Sequence, residues 1–256
     1  RHRTILFYAV VGTLINCFII GPVLYLLAIW GAMGSISITF IECLVFSSLI
    51  VAVDPVAVLA IFQEVGVNNV LYFLVFGESL LNDAVTVVLY NTITTLSQMG
   101  GNIPPSEIGM AIAAFFTVSL GGLTIGLVFG LLSALMTRLM VHVRVVEPLA
   151  ILSLSYAAYL TAELFHFSGI ISMIGCGLMQ MQYAFHNISN NSNITIKYFV
   201  KMLSGACDSI IFMFLGIALV RDDHSWHTGF ILWSALLCLV VRFLVTYSLT
   251  FLVNKT

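Results

Sequence analysis

The residues best suited to chemistry lie inside apolar stretches of the chain. Glu78, Asn82 and Asp83 interrupt residues 73–90, FLVFGESLLNDAVTVVLY, and Asp54 lies in a second apolar stretch. A carboxylate at the centre of a membrane-spanning helix costs roughly 2.5–3.5 kcal/mol on insertion scales, so several of them indicate a function. Because carboxylates bind protons as well as hard cations, these residues predict an ion pathway.

The composition indicates a membrane protein. Of the 256 residues, 61% are hydrophobic and only 8% are charged, whereas about 25% is typical of a soluble domain. The net charge of −2 and the lack of a basic run argue against nucleic-acid binding. Five cysteines lie in apolar runs without metal-ligand spacing, so we expect small buried side chains at Cys17, Cys43, Cys176, Cys207 and Cys238.

The apolar pattern predicts an all-α, polytopic membrane protein. A spanning helix needs about 20 apolar residues, and eight stretches are candidates, the sixth of them short. They cover residues 4–30, 39–63, 70–97, 108–137, 147–166, 168–185, 197–220 and 228–253. Pro55 has no amide hydrogen and clashes with the carbonyl of Val51, so the second stretch is expected to kink or unwind there.

The basic residues predict the orientation. Eight spans with a cytoplasmic N-terminus place seven of the nine Lys and Arg on one side, leaving Arg221 opposite and Arg242 inside a span. The seven are Arg1, Arg3, Arg138, Arg144, Lys197, Lys201 and Lys255. By the positive-inside rule both ends of the chain are cytoplasmic. The three sequons that begin at Asn187, Asn190 and Asn193 then face the cytoplasm and are expected to be unused.

Five ionisable groups share a similar expected depth in the bilayer. With a rise of 1.5 Å per residue, Asp54 lies roughly 15 Å from its cytoplasmic helix end, Glu78 about 12 Å and Asp83 about 20 Å. Asp208 and Arg242 both lie about 17 Å deep. Four carboxylates against one guanidinium leave three negative charges for protons or a cation to neutralise, which predicts a proton-coupled cation site.

The charges also suggest separate roles for these residues. Arg242 is always charged and needs a fixed anionic partner, for which we choose Glu78. Asp83 points about 100° away from the helix face that Glu78 and Asn82 share, so it is predicted to be the titrating ligand of a transported cation. Asn82, beside Asp83, and Asp54, at the helix break made by Pro55, are also predicted to bind the transported ion. The Glu78–Arg242 pair could instead be purely structural.

Asp208 and Ser168 are weaker candidates for a polar core. Asp208 lies in Gly205-Ala-Cys-Asp208-Ser, well inside a span, where it could meet the ion or make a polar contact between helices. We favour the structural role.

At these residues the chain resembles the animal sodium/proton exchangers of the monovalent cation–proton antiporter superfamily. The segments that carry the resemblance are VVGTLIN (10–16), AVDPVAVLAIF (52–62), VFGESLLNDAVTVVLY (75–90), RVVEPL (144–149), AELFHFSGI (162–170), TIKYFVKML (195–203) and IIFMFLGI (210–217). The resemblance implies part of an inverted-repeat antiporter fold with a broken core helix. It also implies electroneutral exchange of Na+ for H+ by alternating access, with Asn82 beside Asp83 typical of electroneutral members.

The resemblance carries further expectations. It implies transported Na+ and H+ without a resident cofactor, a homodimer in a lipid bilayer, and a plasma-membrane rather than an endosomal location. Glu163, His166 and Gly169 match a segment linked to amiloride-type inhibitors. Helices before Arg1 and after Thr256, and a cytosolic tail that binds regulatory proteins, are expected to be missing from this chain.

Three other functions were compared with this prediction. A K+-preferring or organellar exchanger of the same family is the nearest alternative. A cation channel would differ by showing no requirement for a counter-gradient of protons. An intramembrane protease would need paired catalytic residues, but Ser168 lies too close to His166 along the chain and no His-Glu-x-x-His motif occurs, so the chain is not expected to be an enzyme.

Overall fold

The computed structural model describes residues 2–34, 37–98, 104–140, 146–220 and 226–255, which are helical with no strand among them. The helices are α1 (His2–Phe7), α2 (Thr13–Ile29), α3 (Phe40–Ile50), α4 (Val56–Val65), α5 (Asn69–Gln98), α6 (Pro105–Leu139), α7 (Glu147–Leu164), α8 (Gly169–Met179), α9 (Phe185–Asn187), α10 (Asn190–Val220) and α11 (Thr228–Lys255). Two π-helical turns, Tyr8–Gly12 and Gln180–Ala184, join α1 to α2 and α8 to α9.

Five helical segments of the described residues are long and apolar enough to cross a membrane. They are Thr4–Ile29, Asn69–Gln98, Ser106–Leu139, Asn190–Val220 and Thr228–Lys255. The helical content and these segments bear out the expected all-α, polytopic membrane protein.

The chain folds as two compact units. The first combines Arg1–Phe116 with His227–Thr256, and the second is Thr117–Trp226. The first unit holds the larger apolar core, built mainly from α2, α3, α5 and α11. Its buried side chains are Cys17, Ile20, Leu24, Met33, Cys43, Val51, Leu89, Ile93, Val241, Val245 and Leu249.

The second expected span is interrupted in the structure. Thr39 and Glu42 form a capping box that starts α3, with Thr39 N–H donating to Glu42 Oε2 at 2.8 Å. The helix ends before Val51, and the backbone stays non-helical until Pro55, immediately before α4. A proline that lacks the amide donor and clashes with the previous turn accounts for this break.

A close approach between α2 and α3 holds the first half of the broken helix. A Cβ atom at Gly21 would lie 2.8 Å from Leu44 Cδ2 and 2.9 Å from Ser47 Oγ, so a larger residue would require these side chains to move. The buried Ser47 hydroxyl donates to Leu44 O at 2.9 Å and lies 3.3 Å from Cys17 Sγ. The Ser47 hydroxyl is therefore satisfied without solvent.

The cysteines follow the expected burial in part. Cys17, Cys43 and Cys176 are buried and Cys238 is half-buried. Cys207 is exposed on α10, so the prediction of a buried side chain is wrong at this position.

Glycines spaced four apart allow α6 to pack against α8 in the second unit. A Cβ atom at Gly122 would lie 2.5 Å from the Ser168 carbonyl oxygen. At Gly126 it would overlap the Ser172 carbonyl oxygen, and at Gly130 it would overlap Met179 Cβ. The small-residue stripe therefore serves packing within one chain.

We expect Gly126→Ala to destabilise the second unit. The added methyl group meets backbone rather than a movable side chain, so α6 and α8 must separate, at a cost of about 1–3 kcal/mol. The measurement is the thermal unfolding midpoint of the purified full-length protein. Gly109→Ala in the same helix is the control, because no heavy atom lies within 4 Å of its Cβ position. Equal midpoints for the two variants would contradict this account.

Candidate cation site

Helix α5 presents its polar residues in two directions. Asn82 is only 1% exposed, whereas the neighbouring Asp83 is exposed and Glu78 is half-buried. Ser79, one turn before Asp83, is buried. The 3.6-residue period puts Glu78 and Asn82 on one face and puts Ser79 and Asp83 on a second face, which is buried at Ser79 and exposed at Asp83.

The Asn82 amide donates a hydrogen bond to the backbone carbonyl that the helix break leaves without its usual donor. In a continuous helix the Val51 carbonyl would accept from the amide of the residue four positions on, which is Pro55 and has no N–H. Here Asn82 Nδ2 donates to the Val51 oxygen at 3.2 Å. Its Oδ1 accepts from Thr13 Oγ1 at 2.6 Å and from Thr86 Oγ1 at 3.4 Å. A residue from α5 thus supplies the donor that proline removed.

Glu78 and Arg242 form an ion pair between α5 and α11. Arg242 Nη2 lies 3.2 Å from Glu78 Oε1, and about a third of the Arg242 side chain and a quarter of the Glu78 side chain remain exposed (33% and 26%). The contact joins residues 164 positions apart. It neutralises one of the three carboxylates near the break and fixes α11 against α5.

Asp54 lies within the break, and Asp83 lies on α5. Both side chains are exposed, and the charges of Asp54 and Glu78 act on the Asp83 carboxylate. Asp54 precedes the N-terminus of α4, whose dipole favours negative charge, and follows the carbonyl end of α3, which favours a cation. The ends of α3 and α4 therefore flank Asp54, whose charge acts on Asp83 of α5.

A cavity of about 480 Å³ opens beside this region. It runs along α11 from Cys238 to Thr250 and includes Arg242 of the ion pair and Val53 of the break. Its lining is mainly apolar, and neither Asp54 nor Asp83 is among its lining residues.

The other predicted polar residues lie in the second unit. Ser168 is buried and caps α8, because its Oγ accepts from Ile171 N–H at 3.3 Å. Asp208 is exposed on α10 and lines a cavity of about 890 Å³ with Lys197 and Lys201. Ser168 therefore stabilises a helix start, and the role of Asp208 stays a prediction.

Glu163, His166 and Gly169 form the corner between α7 and α8. His166 has a left-handed backbone with φ of 58°, and Gly169 N–H donates to Glu163 Oε1 at 3.1 Å. A Cβ atom at Gly169 would lie 2.6 Å from the Tyr159 ring. These contacts give Glu163 and Gly169 a role in the turn, and the inhibitor link stays a prediction.

Sequence reasoning missed the two threonines that surround Asn82. Thr86 could have been found, since it lies four residues after Asn82 on the same helix face. Thr13 is buried on α2 and lies 69 positions from Asn82 in the chain. Its place as a polar residue in an apolar span, within the segment VVGTLIN (10–16), hinted at a role.

Comparison with known proteins agrees with this geometry. The family described as "Sodium/hydrogen exchanger, transmembrane" matches residues 1–256. Na+/H+ exchanger beta of Oncorhynchus mykiss is 46% identical over 252 residues, covering 98% of this chain and 33% of the relative. Na+/H+ exchanger protein 7 of Caenorhabditis elegans is 47% identical over 256 residues, covering 98% of this chain and 33% of the relative. Sodium/hydrogen exchanger 3 of Homo sapiens is 45% identical over 254 residues, covering 98% of this chain and 30% of the relative. The chain thus spans about a third of the length of these curated relatives.

Proposed function

Because this chain belongs to the transmembrane sodium/hydrogen exchanger family, we propose that the whole protein exchanges Na+ for H+ by alternating access. The exchange would regulate intracellular pH and sodium. Members of the family are transporters rather than enzymes, and relatives 44–47% identical to this chain are named Na+/H+ exchangers.

The proposal is supported by the position of Asp54 at a broken helix and by the electrostatic interaction of its charge with Asp83. The Glu78 charge is balanced by Arg242 at 3.2 Å, so the four groups together carry a net formal charge of −2. In a low-dielectric surrounding such charge is favourable only when protons or a cation neutralise it. Na+ prefers hard oxygen ligands, and the Asp54 and Asp83 carboxylates offer them to this transported ion.

Competition for the same oxygens couples the two ions. A proton on Asp83 removes the negative charge that attracts Na+, and bound Na+ in turn disfavours protonation. The site is therefore occupied by one species or the other when it faces either side of the membrane. Alternating access then converts this competition into exchange rather than into parallel leaks.

Asn82 supports the electroneutral form of the exchange. It is neutral, almost fully buried, and already committed to the Val51 carbonyl and the Thr13 hydroxyl. An aspartate here would place a second titrating carboxylate next to Asp83. With an amide instead, Asp83 alone changes protonation on this face of α5.

We also propose that both ends of the chain lie in the cytoplasm and that the protein resides in the plasma membrane. The orientation rests on the uneven distribution of Lys and Arg among the loops. The plasma-membrane location, a homodimer and regulatory proteins on a cytosolic tail follow from the family resemblance.

We expect Asn187 to carry no glycan. Its Nδ2 atom, the acceptor in glycosylation, donates to Ala134 O at 3.1 Å and to Thr137 Oγ1 at 3.4 Å. A cytoplasmic position would also keep it from the glycosylation machinery. Glycosidase treatment of the full-length protein should leave its gel mobility unchanged. A mobility shift that disappears in Asn187→Gln would contradict the orientation.

The experiment that tests the function is intracellular pH recovery after an acid load in exchanger-deficient cells that express the complete protein. Recovery should require external Na+, saturate with its concentration, and be insensitive to membrane voltage. An amiloride analogue added in parallel tests the corner that Glu163 and Gly169 form. Recovery driven equally by K+ would support the K+-preferring alternative, and voltage-dependent current without proton movement would indicate a channel.

A further inference from the structure

The π-helical turn Tyr8–Gly12 ends at a threonine that reaches the candidate cation site. Thr13 is 3% exposed, and its N–H donates to the Val10 carbonyl. Its hydroxyl lies within hydrogen-bond distance of Ala9 O in the preceding turn and 2.6 Å from Asn82 Oδ1 on α5. A buried threonine usually bonds only within its own helix, so the second contact is the informative one.

The same turn is tied to α11. Tyr8 OH donates to Thr250 Oγ1 at 2.7 Å, and a Cβ atom at Gly12 would already touch Leu249 Cδ1 at 3.4 Å. π-helical turns inside helices are frequently found at functional sites, because they redirect the side chains that follow. Here the turn places the side chain of Thr13, the first residue of α2, against α5.

The Thr13 hydroxyl has one proton and two acceptors. It can donate to Ala9 O or to Asn82 Oδ1, but not to both at once. Donation to Asn82 orients the amide with its oxygen toward Thr13 and its Nδ2 toward the Val51 carbonyl, 3.2 Å away. The opposite orientation would place the Asn82 oxygen against the Val51 oxygen, which is repulsive. The Val51 carbonyl therefore sets the orientation of the Asn82 amide, and the Thr13 hydroxyl stabilises that orientation by donating to the amide oxygen.

We propose that Thr13 is a positioning residue for the cation site, acting through Asn82 on the Val51 carbonyl and hence on the break that carries Asp54. Thr13 itself does not touch the ion. This inference rests on the proposed exchange function, because its effect is read as cation affinity. The chain of contacts runs from the π-helical turn to α5 and back to the broken helix.

The test compares Thr13→Val and Thr13→Ser in the full-length protein in exchanger-deficient cells. Valine keeps the shape of threonine and removes the hydroxyl, whereas serine keeps the hydroxyl. We expect Thr13→Val to raise the apparent KM for Na+ about fivefold, the factor expected from the loss of one typical hydrogen bond. Thr13→Ser should stay within about twofold of wild type. Rates are normalised to the amount of protein at the cell surface.

Two further threonines of α5 serve as comparisons. Thr86 lies 3.4 Å from Asn82 Oδ1, so Thr86→Val should raise KM less than Thr13→Val. Thr92 donates to Val88 O of its own helix at 2.8 Å, so Thr92→Val should leave KM unchanged. If Thr13→Val does not reach the surface, Thr13→Ala makes the same comparison with a smaller side chain.

A wild-type KM in the valine or alanine variant would overturn the inference while leaving the proposed function intact. Equal impairment of Thr13→Ser and Thr13→Val would overturn it too, since the hydroxyl would then be irrelevant. A larger effect of Thr86→Val than of Thr13→Val would show that Thr86, rather than Thr13, positions Asn82, and would overturn the inference. Absence of Na+-dependent recovery in wild type would instead contradict the proposed function itself.

Discussion

Asp83→Asn should abolish Na+-dependent pH recovery while leaving the amount of full-length protein at the cell surface unchanged. Asparagine has nearly the same size and shape, so packing around α5 is preserved. It carries no charge and cannot titrate in the working pH range, so it can neither attract Na+ nor exchange it for a proton. Because Asp83 is exposed while Asn82 carries the buried contacts, folding should not depend on the carboxylate.

The matched control for Asp83→Asn is Glu107→Gln, which neutralises a carboxylate in the first turn of α6. Its loss should cost only the interaction with the helix dipole, about 0.3–1 kcal/mol, and leave exchange intact. If Asp83→Asn retained Na+-dependent recovery, the assignment of Asp83 as the transported-ion ligand would be wrong. Loss of activity together with loss of surface protein would point to a folding role instead.

Glu78→Gln should destabilise the first unit strongly, because it leaves the Arg242 guanidinium without its carboxylate partner inside the membrane. Breaking a buried ion pair by removing one member costs about 3–5 kcal/mol. The exposed fractions of 33% for Arg242 and 26% for Glu78 let water offset part of this, so the lower end of that range is expected. The measurement is the thermal unfolding midpoint of the purified full-length protein.

A charge reversal separates the ion pair from other causes of instability. Glu78→Arg combined with Arg242→Glu restores opposite charges at the same two positions, so the double variant should be more stable than either single variant. Glu64→Gln, at an exposed position near the end of α4, is the control and should leave the midpoint unchanged. A double variant no more stable than Glu78→Arg alone would show that the pair contributes nothing to stability.

The class of the protein and most of its helices follow from the sequence, because a lipid bilayer allows few backbone conformations in a spanning segment. A chain that is 61% hydrophobic must satisfy its backbone groups within each spanning segment, which requires helices. The break could also be foreseen, since Pro55 has no amide hydrogen to offer the Val51 carbonyl. The choice of Glu78 as the partner of Arg242 needed only charge balance, and the structure places the two groups 3.2 Å apart.

The contacts that stabilise the helix break could not be predicted from the local sequence. Sequence showed that the Val51 carbonyl loses its donor, but not that Asn82, 31 positions away, supplies a replacement. Asn82 was grouped with Asp83 as an ion ligand, whereas the structure buries its amide between Val51 and Thr13. Any polar side chain of a neighbouring helix could have met the need, and relative helix placement decides which one does.

Sequence alone therefore determined that this protein spans a membrane as helices and that one helix is broken. Those properties depend on backbone chemistry and on the cost of charge in lipid, which each segment carries by itself. Only the tertiary structure decided that Thr13 and Asn82 stabilise the break through hydrogen bonds. It also decided that the glycines of α6 allow α8 to pack closely against that helix. These depend on distances between segments far apart in the chain, which periodicity and composition do not contain.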